Sequence, residues 1–172
     1  MSAYACFLIA VGLPICVSAQ AIRITGRIPC AGRLDLVNPG PSLRGESSGR
    51  SVQVRITGAA EDRVPVVLSL RTNCAYRVAA EWMGTADTPV RIAEAAVVPA
   101  NGTSHLTPDA LNATVTPAEL GPGAPAVCVA GRAISKGGNN TTPDNAVLIR
   151  LLLQLPSGAP DATVLFTLNL LP

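Results

Sequence analysis

The sequence predicts an all-β protein built as an antiparallel sandwich, and three observations carry that expectation. Apolar and polar residues alternate at period two in several short segments. Clusters of turn-forming residues separate those segments. Fifteen prolines and fifteen glycines are spread along the chain, leaving little uninterrupted length for helices and disfavouring an α/β layout.

The first alternating segment is "AIRITGRI", in which Ile22, Ile24 and Ile28 face one way while Arg23, Thr25 and Arg27 face the other. The same grammar returns at Val52, Val54 and Ile56, at Val64, Val66, Leu68 and Leu70, and at Tyr76, Val78, Ala80 and Trp82. Each run has one apolar face, as a half-buried strand requires, and parity places Tyr76 and Trp82 in the core. The segments "NAVLIRLLLQLP" and "DATVLFTLNLLP" are apolar on both faces, the pattern of strands in the middle of a sheet or covered on both sides. Between them "PSGAP" supplies turn residues and predicts that the two strands pair as a hairpin. The stretches "NPGPSLRGESSGR", "ANGTSHLTPD", "ELGPGAP" and "KGGNNTTPDN" read as loops. Within them "TPDAL", from Thr107 to Leu111, has the capping Thr and following Pro of a short helical turn.

The start of the chain carries an export pattern. "MSAYACFLIAVGLPICVSAQ" has an apolar run from Ala5 to Val17 and small residues at Val17-Ser18-Ala19, which predicts a signal peptide over 1–19 and a single secreted domain over 20–172. That run is shorter than the roughly 20 residues a membrane-spanning helix needs, so no membrane span is expected after its removal. The formal charge is +2 with basic residues scattered, and aromatics make up 3% of the chain, which argues against nucleic acid as a partner.

Removal of the signal leaves Cys30, Cys74 and Cys128, so in an oxidising compartment one of the three stays unpaired within the monomer. His105 is the single histidine and no CxxC is present, so no metal site can be written. No cofactor motif is found either: "SKGGNN" lacks the spacing of a phosphate loop and reads as a turn. Ser104, His105 and Asp109 are neighbours in one loop rather than a catalytic triad. The carboxylates Glu81, Asp87, Glu94, Asp109, Glu119, Asp144 and Asp161 lie on separate segments, so no pair is singled out for acid–base work and the chain reads as no enzyme. Glycosylation sequons at Asn101, Asn112, Asn139 and Asn140 mark exposed loops.

"IRITGRIPC", a strand pattern ending in a cysteine, and "LSLRTNC", a second cysteine at the end of a later strand, together resemble chaperone–usher fimbrial subunits and their spore-coat-U-like relatives. "GAPDATVLFTLNLL" is similar to the closing strand of that family. The resemblance implies an immunoglobulin-like sandwich lacking its last strand and a disulfide between Cys30 and Cys74. By loop entropy such a bridge would stabilise the fold by roughly 4 kcal/mol. It also implies that Ala162, Val164, Phe166, Leu168 and Leu170 border an open groove, where a periplasmic chaperone and then a neighbouring subunit add a strand. The location implied is the periplasm or the cell surface, in a fimbrium serving adhesion. Only Gln20 to Pro29 precede Cys30, short for a donor extension, and Leu171 stands where the family has an aromatic. The expectation within the family is therefore a terminal subunit, a spore-coat-U-like relative, or a sandwich that kept the fold without the assembly pathway. The other expectation is a self-contained secreted immunoglobulin-like module for binding or an accessory role, without catalysis.

Overall fold

Alternation at period two becomes strand wherever the sequence carries it within the residues that the computed structural model describes, namely 29–37, 39–58, 62–84, 89–135, 145–156 and 161–171. The expected signal peptide over 1–19, the segment 22–28, the sequons at 139 and 140, Lys136 and the turn expected at 157–160 lie outside that set.

Among the described residues, eleven strands form two antiparallel sheets. The first sheet runs in the order β1 (Gly32–Leu36), β4 (Arg63–Thr72), β10 (Val147–Gln154), β6 (Val90–Pro99) and β8 (Ala118–Leu120). The second runs β2 (Leu43–Ser47), β3 (Ser51–Thr57), β11 (Asp161–Leu171), β5 (Ala75–Trp82), β9 (Ala126–Gly131) and β7 (Thr114–Val115). Their facing rows make one core. Val66, Leu68, Leu70, Ile149 and Leu153 from the first sheet are fully buried, as are Val52, Val54, Ile56, Val78, Val164 and Phe166 from the second. Each such side chain contributes roughly 1.5–3 kcal/mol of burial free energy. Tyr76 and Trp82 share this core at 0% and 4% exposure, as their parity predicts.

The most apolar segments occupy the centres of the sheets, β10 between β4 and β6, and β11 between β3 and β5. The hairpin expected between them does not form, because the chain crosses from one sheet to the other after β10. Both strands then gain two hydrogen-bonded neighbours instead of one. The loop reading of "NPGPSLRGESSGR" also needs correction, since Leu43–Ser47 is β2, paired with β3 through Leu43↔Ile56 to Ser47↔Val52. Only Leu43 of that strand is buried, so its alternation has too few apolar residues to show. "TPDAL" makes a turn closed by Ala110 N–H donating to the Thr107 carbonyl at 3.1 Å.

The open groove implied by the fimbrial resemblance is corrected by the pairing of β11. Asp161 to Thr167 pair with β3, and Val164 to Leu171 pair with β5, so Val164 and Phe166 lie where β11 is paired on both sides, while Ala162 is paired to β3 and Leu168 and Leu170 to β5. β3, with β2 beyond it, covers one side of β11 from Asp161 to Thr167. Beyond Thr167, Leu168 N–H donates to the Arg50 carbonyl at 2.7 Å, and Gly32 closes against the side chains of Leu168 and Leu170. β1 ties the layers together there: it pairs with β4 while Leu34 N–H donates to the Gly49 carbonyl of the second sheet at 2.8 Å.

Cys30 and Cys74 are joined, with Cα atoms 5.6 Å apart, linking the approach to β1 with the β4–β5 connection. Asn73 reinforces the junction: its side chain accepts from Ala31 N–H at 2.8 Å and donates to the Pro29 carbonyl at 3.1 Å. Its backbone N–H donates to the Ala31 carbonyl at 3.2 Å.

Gly131 is required by packing. A Cβ there would stand 2.7–2.9 Å from the ring and hydroxyl of Tyr76, which is fully buried and has nowhere to move. Gly131→Ala is expected to lower stability by about 1–3 kcal/mol in a urea melt. Gly40→Ala, which meets nothing within 4 Å, serves as the near-neutral control.

Candidate functional site

Because a strand alternates its side chains, the residues left over from the core row of the second sheet form its outer face. Arg44 and Glu46 come from β2, Gln53 and Arg55 from β3, and Thr163 and Leu165 from β11. Register sets them in two rows, Arg44 beside Arg55 beside Thr163, and Glu46 beside Gln53 beside Leu165. Arg44, Gly45, Glu46, Gln53, Arg55 and Thr163 line an open cleft of about 490 Å³. Gly45 points the other way, where a Cβ would meet Leu36, so the floor of the cleft at that position is bare backbone.

The charge arrangement is uneven. Two pairs of arginines stand directly opposite each other across neighbouring strands, Arg33 with Arg71 and Arg44 with Arg55. Like charges so placed repel. In the first pair the Asp35 carboxylate bridges both, accepting from Arg33 Nε at 2.7 Å and from Arg71 at 3.2 Å. Among the described residues, Arg44 and Arg55 have no carboxylate within ion-pair distance, Glu46 included.

The cleft holds no aromatic side chain: Tyr76, Trp82 and Phe166 all turn into the core. It offers guanidinium donors, the acceptor Glu46, and Gln53 and Thr163, which both donate and accept. Sequence reading missed this site because an exposed polar row on strands looks like an ordinary solvated face. Its signal, the Arg44–Arg55 juxtaposition, exists only once the register is known.

Among the described residues, Ser104, His105, Asp109 and the carboxylates on the separate strands share no hydrogen bond or ion pair with one another. Asp109 pairs with Arg132 at 3.3 Å, and Ser104 and His105 are exposed in the preceding loop. No group of three or more potential metal ligands occurs among the described residues. No helix among the described residues is long and apolar enough to cross a membrane.

Two buried groups resist ionisation. Burial pushes the Tyr76 hydroxyl up to about 12 and the Cys128 thiol up to about 11. Cys128 Sγ donates to the Val78 carbonyl at 3.3 Å, whereas the Tyr76 hydroxyl and the Trp82 indole N–H have no hydrogen-bond partner among the described residues. Both titrating groups hold their protons more tightly when folded. Their contribution is therefore fully present below their ordinary values, 10.0 for Tyr76 and 9.0 for Cys128, and is lost as pH rises through about 12 and about 11. Unfolding free energy is expected to fall steeply between those limits in alkaline denaturant melts. Tyr76→Phe, which removes the unpartnered hydroxyl, flattens that fall without weakening the protein at neutral pH.

The chain matches no protein-family profile and no curated protein sequence. Among solved structures it is similar to the N-terminal cellulose-binding domain of Cellulomonas fimi β-1,4-glucanase C, at 15% identity and a TM-score of 0.38, covering 86% of this chain and 99% of that one. That distant likeness assigns no ligand to this chain.

Proposed function

We propose that this protein is a self-contained, exported, non-catalytic binding module that takes its ligand on the outer face of the second sheet. The observation that carries the reading is β11, hydrogen-bonded to β3 and β5 with its apolar row inside the sandwich. A subunit awaiting a partner's strand would expose that row along an unpaired edge. With the core satisfied internally, the polar cleft over β2, β3 and β11 offers a partner a surface that needs no strand addition. The disulfide suits the oxidising compartment that the export pattern at 1–19 predicts.

The test is to express the chain alone with its own leader and measure the mass of the purified product by light scattering. A monomer that stays soluble without any co-expressed chaperone supports the reading. Solubility only in complex with a strand-donating partner, or assembly into fibres, would contradict it.

A further inference from the structure

The two arginine pairs of this fold are alternative solutions to one electrostatic problem. At Arg33 and Arg71 the chain supplies the bridging carboxylate itself, through Asp35 two residues along β1. At Arg44 and Arg55 it builds the same cross-strand juxtaposition, places Glu46 two residues along β2, and leaves that carboxylate outside ion-pair distance of both guanidiniums. Arginine does not shed its charge to relieve the repulsion. The pair moreover lines a cleft roomy enough for a ligand, about 490 Å³, whereas Arg71 is largely covered.

We infer that the cleft binds an acidic saccharide, with a carboxylate of the ligand taking between Arg44 and Arg55 the place that Asp35 takes between Arg33 and Arg71. The inference rests on the proposed binding face and names its ligand class. Two guanidinium forks suit a planar carboxylate, which can accept from both at once. The remaining groups select the rest of the ligand. Glu46 only accepts hydrogen bonds and repels densely charged polyanions, so the group beside the carboxylate must bring hydrogen-bond donors rather than further charge. Gln53 and Thr163 can each give and take a hydrogen bond with hydroxyls. A uronic-acid ring, one carboxylate among several hydroxyls, meets all of these demands; a polyglutamate chain sets further carboxylates beside Glu46 and brings no hydroxyls. With no aromatic side chain in the cleft, binding is carried by charge and hydrogen bonds rather than by stacking on the sugar face, and it therefore weakens with salt.

The experiment is an NMR titration of the isotopically labelled chain with three probes: tetragalacturonate, cellotetraose as its neutral counterpart, and hexaglutamate as an acidic chain without hydroxyls. Tetragalacturonate is expected to shift resonances of residues 44–46, 53–55 and 163, and to bind at least roughly tenfold more tightly than either control. Arg44→Gln and Arg55→Gln are each expected to weaken it by roughly tenfold. Both variants keep or raise the melting temperature, because each removes a repulsion; a purely structural role for the pair predicts a lowered one. Absence of shifts with tetragalacturonate, or shifts that survive both substitutions, overturns the inference. If cellotetraose or hexaglutamate moves the same residues and tetragalacturonate does not, the ligand class is wrong while the binding face stands. If none of the three moves them, the face itself loses its support.

Discussion

Phe166→Ala lowers the unfolding free energy by roughly 3–5 kcal/mol, the range for emptying a large aromatic site in a packed core. Phe166 is fully buried and centred on β11, flanked by Ala80 on β5 and Val52 on β3. Truncation leaves a cavity that small neighbours such as Ala80 cannot fill, and hydrogen bonds to both adjacent strands keep the backbone from collapsing into it. The prediction separates the two readings of this strand. In a groove awaiting a partner's strand, Phe166 would be partly solvated in the isolated subunit, and the same change would cost little until the partner bound. Denaturant melts of the isolated chain measure the difference directly. The conservative Phe166→Leu should lose only part of the stability lost by Phe166→Ala.

Removing the bridge by the double change Cys30→Ser and Cys74→Ser costs roughly 2–5 kcal/mol. The two cysteines are 44 positions apart, and the segment between them contains β1, β2, β3 and β4, so the crosslink restricts much of the unfolded chain. The native junction itself is expected to persist, because Asn73 makes three hydrogen bonds to Pro29 and Ala31 beside it. The loss therefore appears mainly as a lower denaturation midpoint, with the amide resonances of β1 little changed. Reduction of the unaltered protein should match the double variant. Cys128 takes no part in exchange: it is fully buried and burial holds it in the thiol form.

Much of this fold is legible in the sequence because three segments carry clean period-two alternation over a buried row: those that become β3, β4 and β5. Parity alone placed Tyr76 and Trp82 inside, and the two-faced apolar character of β10 and β11 identified the sheet centres. What stays hidden is of two kinds. Strands with little burial, such as β2 with only Leu43 inside and β7 with two residues, carry no pattern to read. Which strand lies beside which is set by non-local pairing, so an apparent hairpin between β10 and β11 proves to be a crossing between sheets. The same limit governed the candidate site. The partner-strand edge is what the fimbrial resemblance of the closing segment implies, and the alternation of that segment is the same for an edge strand and an interior one. The Arg44–Arg55 pair is eleven positions apart in sequence and becomes a pair only through the β2–β3 register.

Hydrogen–deuterium exchange of the isolated chain reads out whether β11 is an interior strand of a finished sandwich. The amides of residues 164–167 are expected to be among the slowest in the protein, exchanging only with global unfolding, since β11 is paired there with β3 and β5 at once. Rapid exchange along that segment, slowed only when a strand-shaped peptide is added, would instead restore an open groove beside β11.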